Sequence, residues 1–278
     1  MVNKVKLSDF VASFIENHGV KTIFAISGGA SLHLIHSIYE NKNLSIVCTS
    51  HEQGAAMAAD SYSRVSGNIG VAISTSGPGA TNLITGICCS YYDSVPLLII
   101  TGQVSTFRMS GKTGVRQIGF QETPITNIVK EITKYSTTIR KAEDIKYELE
   151  KAFFIAKSGG PGPVLIDIPD NLQREIIEED KLRGFEQDLS INKIFPNSNE
   201  LIVDFLNEIR KSKRPVVVAG WGIHLSKTED EFIKFIDKFQ LPVALTWGAS
   251  DLLESDNKFY IGTFGTHGMR HANFAVQN

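Results

Sequence analysis

The sequence has no excess of basic residues and no long apolar run. Its 28 Lys and Arg residues are balanced by 30 Asp and Glu residues, which gives a formal net charge of −2. Proteins that neutralise nucleic-acid phosphates or anionic membrane surfaces need a cationic excess, so we expect neither partner. Apolar runs such as "VPLLII" are also far shorter than a bilayer-spanning helix requires.

Cysteine and targeting signals are equally sparse. The start "MVNKVKLSDF" has no apolar signal-peptide core, which predicts a cytoplasmic protein. Cys48, Cys88 and Cys89 are an odd number of cysteines without metal-ligand spacing. We therefore expect buried, reduced thiols and no metal site in this chain, with a redox pair of Cys88 and Cys89 as the less favoured alternative.

The first part of the chain alternates apolar strands and helices with short glycine-rich turns. Continuous apolar runs such as "GVAISTS" and "VPLLIITG" are typical of parallel strands covered on both faces. We predict a doubly wound, mostly parallel α/β sheet over residues 1–170, preceded by a helix that Ser8 caps. Sheets of this class bind ligands beyond the carboxyl ends of their strands.

The composition changes after this sheet. Residues 171–197 are polar, charged and without sustained periodicity, so we expect a linker. Residues 198–278 predict a second, partial α/β domain with helices near 198–211 and 228–239. Its two clear strands, "PVVVAG" and "LPVALT", are too few for a covered sheet, so we expect further strands from a longer chain or from a partner.

The stretch "HEQGAAMAADSYSRVSG" predicts a helix with a carboxylate on its small, apolar side. At about 3.6 residues per turn, Glu52 shares a face with Ala55, Ala56 and Ala59. A charge there is unfavourable without a partner. A buried ion pair, a helix-dipole contact of up to about 1 kcal/mol or a catalytic acid or base would each explain it. This helix by itself favours the dipole contact.

A second motif, "SGPGATN", joins a buried strand to a helix. Gly77 and Gly79 permit close approach of the backbone, and Pro78 fixes the turn. The start of the following helix favours an anion or a polar ligand. A plain glycine turn explains the pattern equally well.

Taken together, several segments resemble the thiamine-diphosphate-dependent enzymes, above all acetolactate synthase (acetohydroxyacid synthase). In chain order they are "HEQGAAMAADSYSR", "ISTSGPGATNLITGI", "DSVPLLIITGQV" and "GFQETPI". "RPVVVAGWGI" and "GTFGTHGMRHANFAVQN" resemble the central domain of the same family. The resemblance covers almost the whole chain and implies the pyrimidine-binding fold for residues 1–170.

The resemblance implies an enzyme that decarboxylates a 2-keto acid and ligates the adduct to a second carbonyl, with thiamine diphosphate as cofactor. Glu52 matches the family glutamate that hydrogen-bonds the aminopyrimidine ring, and Gln121 matches the glutamine near the reacting carbon. These two are the expected catalytic residues. The other expected cofactor-binding residues are Gly28, Gly29, Ala30, Pro78, Gly79, Asn82 and Phe120.

The chain also departs from the acetolactate synthase pattern. Ile26 and Ser27 stand where the family reads "YP", Gly160 replaces an arginine that contacts FAD, and Asp170 replaces a lysine near the substrate entrance. Losing two cations leaves open whether FAD binds and whether pyruvate is the substrate. A simple 2-keto-acid decarboxylase of the same superfamily is the alternative.

The family holds the diphosphate and Mg²⁺ through a "GDG" segment of a C-terminal domain, which these 278 residues lack. The resemblance further implies a homodimer or homotetramer with active sites between subunits. We therefore expect a truncated piece of such an enzyme that is inactive alone. A non-catalytic or split subunit that needs a partner chain is the alternative.

Overall fold

The computed structural model describes residues 3–187 and 198–278. They fall into two compact units, one before and one after residues 188–197. The strands of the first unit are β1 (Lys4–Lys6), β2 (Thr22–Ala25), β3 (Ser45–Cys48), β4 (Gly70–Ser74), β5 (Leu97–Gln103), β6 (Tyr135–Thr138), β7 (Pro163–Pro169) and β8 (Ile176–Glu178). Its helices are α1 (Leu7–Asn17), α2 (Leu32–Glu40), α3 (Glu52–Ser66), α4 (Pro78–Thr81), α5 (Ile84–Tyr92), α6 (Ile125–Ile128), α7 (Ile145–Lys157) and α8 (Asp170–Gln173).

The predicted doubly wound parallel sheet is confirmed. Its strand order is β3-β2-β4-β5-β7-β6, and every neighbouring pair is parallel. Strands β4, β5 and β7 are buried along their whole length, as their continuous apolar sequences predict. Helices α1, α2 and α7 contribute to the core on one face of the sheet, and α3, α5 and α6 to the core on the other.

Helix α3 has the predicted alanine face. The imidazole of His51 caps its start, since the backbone N–H of Gln53 donates to His51 Nδ1 at 3.1 Å. The helix ends at Gly67, whose φ of 64° lies in the left-handed region. Three of its side chains are completely buried against the sheet and α5: Ala55, Ala56 and Ala59.

The cysteines and the cap of α1 differ from the prediction. Cys48 and Cys89 are exposed and Cys88 is half-buried, because β3 is an edge strand and α5 turns other residues inward. Helix α1 begins at Leu7, so Ser8 is not its cap. Ser8 is instead buried within the helix, where its hydroxyl oxygen accepts a hydrogen bond from Ser37 Oγ at 2.8 Å.

Part of the expected linker is folded. Residues 171–187 contain most of α8 and all of β8, and β8 pairs antiparallel with β1, Lys6 opposite Ile176. The sequence did not predict strand β6, because its residues are polar and lie at the edge of the sheet. Residues 188–197 of the expected linker lie outside the described part.

The second unit is also α/β. Its helices are α9 (Ser198–Lys211), α10 (Gly222–Ser226), α11 (Glu229–Phe239) and α12 (Arg270–Gln277), and its strands are β9 (Val217–Ala219), β10 (Val243–Leu245) and β11 (Tyr260–Thr263). The strands pair in parallel in the order β11-β10-β9. Strand β11 was not predicted because Gly262, with φ of 98°, interrupts its short pattern. Within residues 3–187 and 198–278, no helix is both long and apolar enough to cross a membrane.

Close packing of α3 on β4 depends on one glycine. A Cβ added to Gly70 would lie 1.9 Å from the carbonyl oxygen of Ala59. Gly70→Ala must therefore push α3 away from the sheet, and we expect a loss of about 1–3 kcal/mol in the free energy of unfolding. Urea unfolding followed by circular dichroism measures it.

Gly160→Ala is the matched control for this substitution. Apart from its two chain neighbours, no described residue has a heavy atom within 4 Å of a Cβ added to Gly160. Its free energy of unfolding is expected to stay within about 1 kcal/mol of the wild type. Equal losses in the two variants would contradict the packing argument.

Candidate active site at the carboxyl edge of the sheet

The predicted site residues lie at the carboxyl ends of four neighbouring strands. The Gly28 turn follows β2, Glu52 follows β3, the "SGPGATN" turn follows β4, and Gln121 lies on the long loop 104–124 that follows β5. Strand β2 lies between β3 and β4, so the winding of the sheet reverses at this point. Such a reversal opens a crevice in which doubly wound sheets bind ligands.

Glu52 is a half-buried carboxylate in the first turn of α3. Asn82 Nδ2 donates a hydrogen bond to Glu52 Oε2 at 3.0 Å. A Cβ added to Gly79 would lie 3.3 Å from the other oxygen, Oε1. The amide thus orients one carboxylate oxygen, while the second faces the glycine turn as an acceptor for an incoming N–H group.

Thr75, which the sequence did not single out, joins the two glycine turns. A Cβ added to Gly28 would lie 2.5 Å from Thr75 Cβ, and one added to Gly79 would lie 2.7 Å from Thr75 Cγ2. The backbone N–H of Ala30 donates to Thr75 Oγ1 at 3.2 Å. Thr75 gave no separate signal because a β-branched residue at the end of a strand is ordinary.

Gln121 lies against the same turn with its Cβ and its backbone carbonyl oxygen. A Cβ added to Gly77 would lie 2.7 Å from Gln121 Cβ, so only a glycine at position 77 permits this approach. Gln121 itself has a φ of 60°, in the left-handed region that residues with side chains avoid. Such a conformation is unfavourable by about 1–3 kcal/mol and persists only where its surroundings hold it.

The contacts therefore connect six of the predicted residues through one cluster: Gly28, Ala30, Glu52, Gly79, Asn82 and, through Gly77, Gln121. The remaining three lie at the surface. The Phe120 side chain is 81% exposed, and Gly29 and Pro78 are exposed as well. The cofactor-binding and catalytic roles of all nine residues stay predictions.

A buried carboxylate behind the site was not predicted. Asp167 in β7 accepts hydrogen bonds from Thr101 Oγ1 at 2.7 Å, Gln103 Nε2 at 2.9 Å and Thr138 Oγ1 at 3.2 Å. Burial raises the pKa of Asp167 to about 6, although these bonds and the charge of Arg140 lower it. Its donors are 29 to 66 residues away, so no local pattern could reveal the group.

Carboxylates also hold the loop 104–124. Glu122 accepts from the backbone N–H of Ser110 at 2.7 Å and of Ile118 at 3.0 Å. Desolvation raises the pKa of Glu122, but its hydrogen bonds outweigh that effect and lower the pKa overall. At the start of the loop, Ser105 Oγ donates to Asp170, the residue that stands where the resemblance expects a lysine.

Comparison with known proteins gives the chain two domain matches. Residues 5–128 match the family described as "Thiamine pyrophosphate enzyme, N-terminal TPP binding domain", and residues 202–278 match its central domain. The chain is 36% identical to the chloroplastic acetolactate synthase of Arabidopsis thaliana over 98% of its own residues and 40% of that protein. It is 36% identical to the acetolactate synthase large subunit of Lactococcus lactis over 99% of the chain and 48% of that protein. It thus spans less than half the length of these relatives.

The raised pKa of Asp167 has a measurable consequence. The carboxyl holds its proton more tightly in the folded state, with a pKa of about 6, than in the unfolded state, with a pKa of about 3.9. Its contribution to stability is therefore fully present below about pH 4 and is lost as the pH rises through 6. Asp167→Asn removes this titration.

We therefore expect Asp167→Asn to gain stability relative to the wild type between pH 4 and pH 8, by about 3 kcal/mol. Urea unfolding at a series of pH values measures the difference between the two free energies of unfolding. A difference that stays constant over this range would contradict the shifted pKa.

Proposed function

Because this chain belongs to the thiamine pyrophosphate enzyme family, we propose that it is the N-terminal and central part of an acetolactate-synthase-like enzyme. The whole enzyme decarboxylates a 2-keto acid and ligates the product to a second carbonyl. The observation that carries the proposal is the Glu52 carboxylate, which Asn82 orients and which faces the turn at Gly79.

The residues around Glu52 fit the aminopyrimidine end of thiamine diphosphate. Glycine at position 79 lets the turn lie close to Glu52 Oε1, and the alanine face that follows Glu52 on α3 is completely buried and apolar. An acceptor in such surroundings binds a ring N–H more strongly than in water. Thiamine diphosphate, when bound, supplies the electron sink that loss of carbon dioxide from a 2-keto acid requires.

In this proposal Glu52 accepts the hydrogen bond of the pyrimidine ring and keeps the proton at that nitrogen. Pro78, Gly79 and Asn82 line the ring, and the turn Gly28, Gly29 and Ala30 approaches it from β2. Gln121 and Phe120 would lie toward the reacting carbon. This assignment is supported by the motif matches and by the cluster of contacts around Thr75.

The partners and the remaining groups are proposals that rest on the resemblance alone. We propose a 2-keto acid substrate and a homodimer or homotetramer with the active site between subunits. Mg²⁺ and the diphosphate would bind through a segment outside these 278 residues. An absorbance spectrum of the intact protein decides whether FAD is present, and localisation by microscopy tests the expected cytoplasmic location.

Glu52→Gln in the intact protein tests the assignment. Glutamine keeps the length of the side chain and an oxygen that can accept from Asn82. Its amide is uncharged, however, so it is a much weaker acceptor for the proton of the pyrimidine ring than the carboxylate. We expect kcat to fall by about 10²- to 10⁴-fold. The assay is release of carbon dioxide from a panel of 2-keto acids with thiamine diphosphate and Mg²⁺.

Glu40→Gln, at an exposed position at the end of α2, is the control and should leave kcat unchanged. Wild-type turnover by Glu52→Gln on every accepted 2-keto acid would show that Glu52 has no role in proton transfer.

A further inference from the structure

We propose that Asp167 and Gln103 are positioning residues that hold Gln121 against the glycine turn. The inference rests on the proposed function, in which Gln121 stands beside the reacting carbon. Neither residue reaches the surface, since Asp167 is 1% and Gln103 is 2% exposed. They act through the backbone of the loop that carries Gln121.

The link runs through the Gln103 side-chain amide. One N–H of Gln103 Nε2 donates to Asp167 Oδ2 at 2.9 Å, and the other donates to the carbonyl oxygen of Thr123 at 2.8 Å. The Gln103 side-chain oxygen accepts from the backbone N–H of Val104 at 2.9 Å. All the hydrogen-bonding capacity of this amide NH₂ is therefore used, which fixes its orientation.

Thr123 lies two residues after Gln121, at the end of the loop. Its carbonyl is held by Gln103, and its hydroxyl lies 3.4 Å from the carbonyl oxygen of Gln121. Gln121 occupies the left-handed region and packs on Gly77, so its backbone has to be held in place from outside. The bond from Gln103 supplies such a restraint from inside the sheet.

Asp167 makes the restraint stiff because it joins three strands. Its carboxylate accepts from Thr101 and Gln103 of β5 and from Thr138 of β6, while Asp167 itself belongs to β7. A buried carboxylate with three donors is a strong acceptor, and hydrogen bonds to a charged group are stronger than neutral ones. The sheet thereby determines the orientation of Gln103, and Gln103 determines the position of Thr123.

The test compares variants that remove the hydrogen bond from Gln103 to Thr123 with one that removes a different hydrogen bond to Asp167. Gln103→Met keeps the side-chain volume but removes the amide, and Gln103→Asn keeps an amide that is too short to reach Thr123. Thr138→Val is the matched control, because it removes a donor from Asp167 Oδ2 without touching the loop. Asp167→Leu removes the acceptor that orients Gln103, so it should loosen the loop as the Gln103 variants do.

Two readouts are taken on the intact protein. Tryptic cleavage after Arg108, Lys112 and Arg116, all exposed on the loop, reports how firmly the loop is held, whether or not the protein is active. Steady-state kinetics with thiamine diphosphate and a 2-keto acid report kcat separately from the affinity for the cofactor. Free energies of unfolding are measured for every variant, so that general destabilisation is accounted for.

For Gln103→Met and Gln103→Asn we expect several-fold faster cleavage of the loop. We also expect a kcat lower by about 10- to 100-fold, because a small displacement of a group beside the reacting atoms has effects of this size. Their affinity for thiamine diphosphate should change less than about threefold, since Glu52 and its turn are untouched. Thr138→Val should match the wild type in both readouts.

Equal cleavage rates and equal kcat in the Gln103 variants and Thr138→Val, at matched stability, would overturn the proposal. If the wild-type protein decarboxylates no 2-keto acid, the proposed function fails. The cleavage rates then still decide whether Gln103 holds the loop. If Gln103→Met does not fold, Gln103→Asn gives the same comparison.

Discussion

Strand β2 pairs in parallel with β3 on one side and with β4 on the other, and the chain segments after these three strands meet at one edge of the sheet. The placement of Glu52 beside the two glycine turns follows from this pairing. It brings the Gly28 turn within contact of Thr75, at the end of β4, and places Glu52 beside Asn82. A shift of register in either pair would separate the carboxylate from the turn that it faces.

The site combines two kinds of support. Close backbone packing, which only glycine allows at positions 28, 77 and 79, sets the distances between the turns. Buried polar groups set orientations: Asn82 orients Glu52, and Asp167 with Gln103 orients the end of the loop at Thr123. Packing without these hydrogen bonds would leave the side chains free to rotate.

Local patterns were sufficient to predict the parallel sheet, the α3 helix and the glycine turns. Periodicity and apolar runs are short-range signals, so they identify β4 and β5 and the alanine face of α3. They could not identify Asp167, whose donors come from distant strands, or Thr75, whose importance lies only in its neighbours. Local patterns did not predict strand β6, because its residues are polar and lie at the edge of the sheet. They also predicted buried cysteines, whereas the exposure of Cys48 and Cys89 depends on where the fold places them and not on the residue type.

The left-handed backbone of Gln121 also limits which sequences can occupy this position. A β-branched residue would clash with its own backbone there, however well its side chain suited a ligand. Asparagine tolerates that conformation and keeps the amide, but it is shorter by one methylene. A selection for altered substrates at position 121 should therefore return few residue types, and glycine and asparagine should be frequent among the survivors.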